Sequence, residues 1–107
     1  MSPEQRFKLV YAPQVRQHLK AVERKCYSLI RQEIESRLQF EPEVEARNRK
    51  PLKRAVTFGA EWEIRFGPKN QFRVFYEVDR EAGIVYVLAI GIKARDRLYV
   101  GGEEIEP

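Results

Sequence analysis

Two neighbouring stretches alternate apolar and polar residues at period two, and this constrains the fold more than any other feature of the chain. In Trp62-Glu63-Ile64-Arg65-Phe66, Trp62, Ile64 and Phe66 point one way while Glu63 and Arg65 point the other. In Phe72-Arg73-Val74-Phe75-Tyr76-Glu77-Val78, Phe72, Val74, Tyr76 and Val78 share one face and Arg73, Phe75 and Glu77 the other. The connection Gly67-Pro68-Lys69-Asn70-Gln71 has the chemistry of a hairpin turn. Pairing Phe66 with Phe72 sets Arg65 directly across from Arg73. Like charges opposite each other in a sheet repel. A bound anion is the simplest reason to keep such a pair, and phosphate is the leading candidate.

The charge balance agrees with a phosphate partner. The chain has 107 residues, a formal net charge of +4 and a pI near 9.4. This length predicts one domain over residues 1–107 with a single core. Residues 47–54 carry five basic side chains and no acid, and Lys93, Arg95 and Arg97 form a second cluster broken only by Asp96. Acids gather at 33–45 and at 103–106. A single charge run usually marks a solvated surface; two runs beside an arginine pair point to a binding surface. No apolar run reaches the ~18 residues of a membrane span. The N-terminus lacks the apolar stretch of a signal peptide. Cys26 is the only cysteine, which suits a reducing cytoplasm.

The remaining elements follow from periodicity. Phe7, Leu9 and Tyr11 alternate, so 6–11 reads as a first strand. Pro13 can open a helix, and Val15, Leu19, Val22, Cys26, Ile30, Ile34 and Leu38 recur at helical spacing. A single helix over 13–40 would run roughly 42 Å, against a radius of gyration of about 13 Å for a domain of this size. A break near 24–28 is therefore expected, giving a helical hairpin. Residues 41–51 read as a loop, 52–57 as the start of the sheet and 58–60 as a turn. Ile84 to Ile90 is an apolar strand that should be central and covered on both faces, and Gly91 ends it. The tail from about 101 to 107 is expected to be mobile. The fold class is α+β: a small antiparallel or mixed twisted sheet, with an N-terminal strand and a helical hairpin packed on one face.

The chemistry is limited by what is absent. His18 is the sole histidine, so a histidine acid/base pair is excluded; a surface or helix-packing role is expected for it. Cys26 and His18 make no standard metal site, and no glycine-rich phosphate loop is present. Trp62 and Phe72 read as core. Phe75, on the arginine face, could stack on a base or pack under a loop.

The order of these segments resembles toxins of the bacterial RelE/ParE superfamily, from type II toxin–antitoxin modules. It runs through a strand, a helical hairpin, Arg-Lys-Pro-Leu at 49–52, Trp-Glu-Ile-Arg at 62–65, Phe-Arg-Val-Phe-Tyr-Glu-Val at 72–78 and Ile-Gly-Ile-Lys-Ala-Arg-Asp-Arg-Leu-Tyr at 90–99. The resemblance covers about residues 6–100. It implies a toxin that needs no cofactor or metal, and favours the RelE-like branch, which cleaves messenger RNA in the ribosomal A site. By position it implies Arg65, Arg73, Lys93 and Tyr99 as catalytic. The RNA's own 2′-hydroxyl would attack the adjacent phosphate, the three cations would stabilise the phosphate's charge, and Tyr99 would orient the nucleophile or exchange a proton. Arg49, Lys50, Lys53, Arg54, Arg95, Arg97 and Phe75 would bind RNA.

One departure stands out: in the ribosome-dependent nucleases the position of Glu63 is basic. Here the acid lies diagonal to Arg73, where a surface salt bridge between the two is the plain alternative. A ParE-like toxin that poisons DNA gyrase by protein contact fits the same fold, as does a degenerate member that only binds its antitoxin. The implied partners are an acidic antitoxin, landing on the basic face or in the hairpin groove, and either the ribosome with messenger RNA or DNA gyrase.

Overall fold

The structure is a computed structural model, and it describes residues 6–52 and 59–105. Among these residues seven strands form one sheet. The elements are β1 (Lys8–Tyr11), α1 (Gln14–Leu19), α2 (Tyr27–Leu38), β2 (Arg49–Pro51), β3 (Trp62–Phe66), β4 (Phe72–Asp79), β5 (Ile84–Ala94), β6 (Arg97–Val100) and β7 (Glu103–Ile105). Strands β2 to β7 follow one another across the sheet, all antiparallel. Strand β1 joins in parallel along Ile84 to Val87 of β5, so the sheet is mixed.

The β3–β4 register is the expected one, with Arg65 opposite Arg73 and Phe66 opposite Phe72. Two aromatic cross-strand pairs hold it. The Trp62 and Tyr76 rings stack at 6.4 Å, and those of Phe66 and Phe72 meet at 5.7 Å. Between β4 and β5 the register slips, because Phe75 faces Ala89 while Tyr76 faces Val87. Leu88 is the extra residue, a β-bulge. It moves the inward-facing set from Val85 and Val87 to Ile90 and Ile92. The run from Ile84 to Ile90 is apolar throughout because it packs on both faces, Val85, Val87 and Ile90 in the helix-side core and Leu88 and Ala89 with the second cluster.

The helical hairpin packs on one face of the sheet. Ile30, Ile34 and Leu38 on α2 are buried against Ile64, Val74, Tyr76, Val85 and Val87. The break overlaps the expected 24–28 but begins earlier: α1 stops at Leu19, and a turn with a short 3₁₀ segment at Arg24–Cys26 leads into α2. No glycine or proline causes it. The Tyr27 hydroxyl donates to the Leu19 carbonyl at 2.6 Å, so a side chain of the second helix satisfies the open end of the first.

Two expectations at the C-terminal end are corrected. Gly91 does not end β5; it lies mid-strand, buried between Arg73 and Val100. A Cβ there would stand 2.9 Å from Leu98 Cδ1 and 3.1 Å from the Tyr99 oxygen, so glycine marks a close approach rather than a stop. The tail expected to be mobile forms β7 over Glu103–Ile105, joined to β6 by a hairpin turn at Gly101 and Gly102 with φ of 62° and 85°. The sheet also begins earlier than expected, at Arg49. The strand expected at 52–57 lies almost wholly outside the described residues.

Candidate functional site

Side chains of paired residues share a face, so register assigns each candidate to one side of the sheet. Arg65, Arg73 and Lys93 lie on the side away from the helices; Lys93 pairs with Leu98 and sits two residues past Gly91, the partner of Arg73. Tyr99 does not join them. It pairs with Ile92, which packs on the helix-side core. With His18, Val22 and Ile90 it lines a cavity of about 230 Å³ under α1.

Between the two arginines the structure places a carboxylate. The Arg65 Nε donates to Glu63 Oε1 at 2.6 Å, and the Arg73 Nη1 reaches the same oxygen at 3.4 Å. The Arg73 Nε donates to the Asn70 carbonyl at 3.1 Å. Side-chain exposure is 9% for Arg73, 11% for Glu63 and 30% for Arg65. The Glu63–Arg73 salt bridge is therefore present but buried, not on the surface. Burial, with Arg65 opposite, pulls Arg73 below the ordinary guanidinium value, and Glu63 offsets part of this. The anion that the arginine pair requires is supplied by the chain itself.

The expected RNA contacts scatter. Arg49 turns to the helix side, where its guanidinium donates to the carbonyls of Arg37 at 2.8 Å, Glu41 at 2.9 Å and Val44 at 3.3 Å. It pins the 41–48 loop. Lys50 is exposed and pairs with Glu63 across β2–β3, which puts it on the arginine side. Lys53 and Arg54 lie outside the described residues. Arg95 and Asp96 form the β5–β6 turn, both with positive φ, of 52° and 64°. Arg97 faces Glu104 at 3.3 Å on the other side. Phe75 is 5% exposed inside a second apolar cluster with Ala60, Ala89 and Val100. The ring packs in that cluster, as the loop-packing alternative expected.

His18 was expected on a surface or in helix packing. It is buried, and its Nδ1 accepts the Ile90 amide at 3.3 Å. Strands β1 and β6 pair with the same edge of β5 and leave a gap at Leu88 to Ile90. Gln14, one helical turn before His18, fills the other part by donating to the Leu88 carbonyl at 3.1 Å. The i, i+4 spacing of two polar side chains on a short helix was the only trace of this in the sequence. The helix side also opens a groove of about 1280 Å³ between β1, α1 and α2. Its floor includes Phe7, Leu9 and Ile34, and four cations (Arg6, Lys8, Arg16 and Arg31) line it against one acid, Glu35.

Comparison with known proteins gives these features a family. The fold is similar to a chain in the crystal structure of the RelBE2 toxin–antitoxin complex from Mycobacterium tuberculosis. The TM-score is 0.67 and the identity 21%, over 83% of this chain and 93% of that one. No curated protein matches the sequence. A family profile described as the ParE toxin of type II toxin–antitoxin system, parDE, matches residues 7–97, which spans β1 through the start of β6. The chain belongs to the ParE toxin family of type II toxin–antitoxin systems.

Proposed function

We propose that this toxin acts in the cytoplasm by contact with a protein target, DNA gyrase, rather than by cutting messenger RNA. The observation that carries this reading is the carboxylate of Glu63 between Arg65 and Arg73. A nuclease of the implied type leaves that place to the scissile phosphate. The placement of Tyr99 on the opposite face supports the same reading, since a positioned proton donor or acceptor typically contributes on the order of 10²–10⁴ in rate. The ribosome-dependent nuclease is the second reading. Lys93 favours it, lying diagonal to Arg73 on the same face.

An acidic antitoxin is the natural counterpart. The related RelBE2 structure is a toxin–antitoxin complex, and the groove between β1, α1 and α2 is apolar at its floor and cationic around it. An amphipathic acidic helix that folds on docking suits it.

The test is inducible expression in bacteria, with 5′-end mapping of messenger RNA and a DNA-damage reporter, beside an Arg65→Ala/Arg73→Ala control. Growth arrest with damage signalling and intact messages is the expected result. New cuts in translated frames, absent in the control, would overturn it in favour of the nuclease.

A further inference from the structure

We infer that the loop following α2, residues 40–48, is the surface by which this toxin contacts its protein target, and that the target meets it with an apolar pocket rimmed by basic side chains. The segment Phe40-Glu41-Pro42-Glu43-Val44-Glu45 alternates apolar and acidic residues without forming a strand. Phe40 is 38% exposed and Val44 50%. Tyr11 and Leu29 are the other large apolar residues that stand exposed among the described residues, and they lie elsewhere in the chain. Exposed apolar side chains scattered singly need no explanation. Two on one short, fixed loop do.

The loop is held from below by β2 and β4. Arg49 donates to the carbonyls of Glu41 and Val44, and to that of Arg37 at the end of α2. The fully buried Tyr76 donates its hydroxyl to the Pro42 carbonyl at 2.6 Å. Arg80, just past β4, pairs with Glu43 at 2.8 Å. Inside the loop the Val44 amide donates to the Glu41 carbonyl at 3.2 Å. Glu41 keeps a left-handed φ of 49°, which a residue with a side chain holds only where its surroundings fix it. A loop fixed in advance loses little freedom on docking, so apolar anchors on it convert efficiently into affinity.

Charge selects the partner. Arg80 takes Glu43, while Glu41 and Glu45 are exposed and enter no ion pair among the described residues. The tip of the loop is thus acidic on a chain of net charge +4. Nucleic acid is repelled by such a tip, whereas a protein that works on DNA carries the basic surface it calls for. The position also accounts for inhibition. Gln39, just before the loop, lines the groove between β1, α1 and α2, and its carbonyl accepts the Phe7 amide at 2.8 Å. An antitoxin helix in that groove would end against the loop and bar the target from it. The inference rests on the contact reading and deepens it by naming the surface that makes the contact.

The experiment measures binding of purified DNA gyrase to the immobilised toxin by biolayer interferometry, beside growth arrest on inducible expression. Phe40→Ala/Val44→Ala and Glu41→Lys/Glu45→Lys are compared with Leu29→Ala, at an exposed site on α2, each checked by circular dichroism. The apolar double variant should weaken binding about 30-fold or more, as loss of hot-spot anchors does, and relieve arrest. The charge reversal should weaken binding most at low salt, and Leu29→Ala should change neither readout. Folded loop variants that bind and arrest like the wild type would overturn the loop and leave the contact reading. Arrest that needs the loop but comes without gyrase binding would sink gyrase as the target and leave the loop. Neither arrest nor binding by the wild type would overturn both. An equal loss in Leu29→Ala would overturn the loop, as would self-association of the wild type abolished by the loop variants, which would seat a second copy there.

Discussion

On the helix side of the sheet, Ile64, Val74, Tyr76, Val85 and Val87 are fully buried under Ile30, Ile34 and Leu38. On the other side the apolar cluster is small, with Ala60, Phe75, Ala89 and Val100 at its centre, and beside it lie Glu63, Arg65 and Arg73. The same strands build both faces, so the difference lies in what covers them. The helix side is held by burial of apolar area. The other side is held by mutual satisfaction of charges, a contact that stabilises little in total but is costly to break by halves. Apolar burial is the common means of stabilising a domain.

Breaking the charge cluster by one member should have the largest effect. Glu63→Ala leaves Arg73 buried opposite Arg65 with no carboxylate, and should cost about 3–5 kcal/mol in urea unfolding. Replacing Glu63 and Arg73 together by apolar residues should recover most of that loss. If Glu63→Ala is as mild as a surface change, the cluster does not hold its face. Leu38→Ala, at a site with 0% exposure, should cost about 2–5 kcal/mol through lost burial and a cavity. A smaller loss there than for Glu63→Ala would sharpen the contrast, and a much larger one would reverse it. Gly91→Ala should cost about 1–3 kcal/mol, because its methyl meets Leu98 and the Tyr99 carbonyl. Thermal unfolding of that variant reports how tightly β5 and β6 close.

His18 sharpens the comparison through pH. Burial holds its imidazole below the ordinary value, and the bond from the Ile90 amide needs an unprotonated Nδ1. The unfolded chain therefore takes up the proton first. The contribution of His18 is complete above about pH 6.5 and is lost as pH falls below it. His18→Asn keeps an acceptor and cannot titrate, so its melting temperature should depend less on pH than the wild type's. Parallel curves for the two would remove His18 from the account. The smallest effect is expected from Lys50→Ala, within about 0.5 kcal/mol, since Lys50 is exposed. A larger loss would mean that the lysine belongs to the charge cluster rather than to the surface.

Alternation by itself determined the β3–β4 hairpin and its register, because two aromatic pairs and a short turn act between neighbouring residues. Helical spacing determined α2 and its buried face for the same local reason. The sequence also carries the puzzle of Arg65 opposite Arg73, and offers Glu63 only as a surface partner of Arg73. What tertiary structure decided was burial and sidedness. The bulge at Leu88 reset which residues of β5 face the helices, and a helix was ended by a tyrosine of its neighbour. In sequence Gly91 looks like a stop, because close approach by Leu98 and Val100 leaves no mark in a one-dimensional pattern. The family resemblance groups Tyr99 with the arginines, whereas strand pairing with Ile92 sends it to the other face. Local periodicity fixes which way a side chain points relative to its neighbours in the chain; only the packed sheet determines what it meets there.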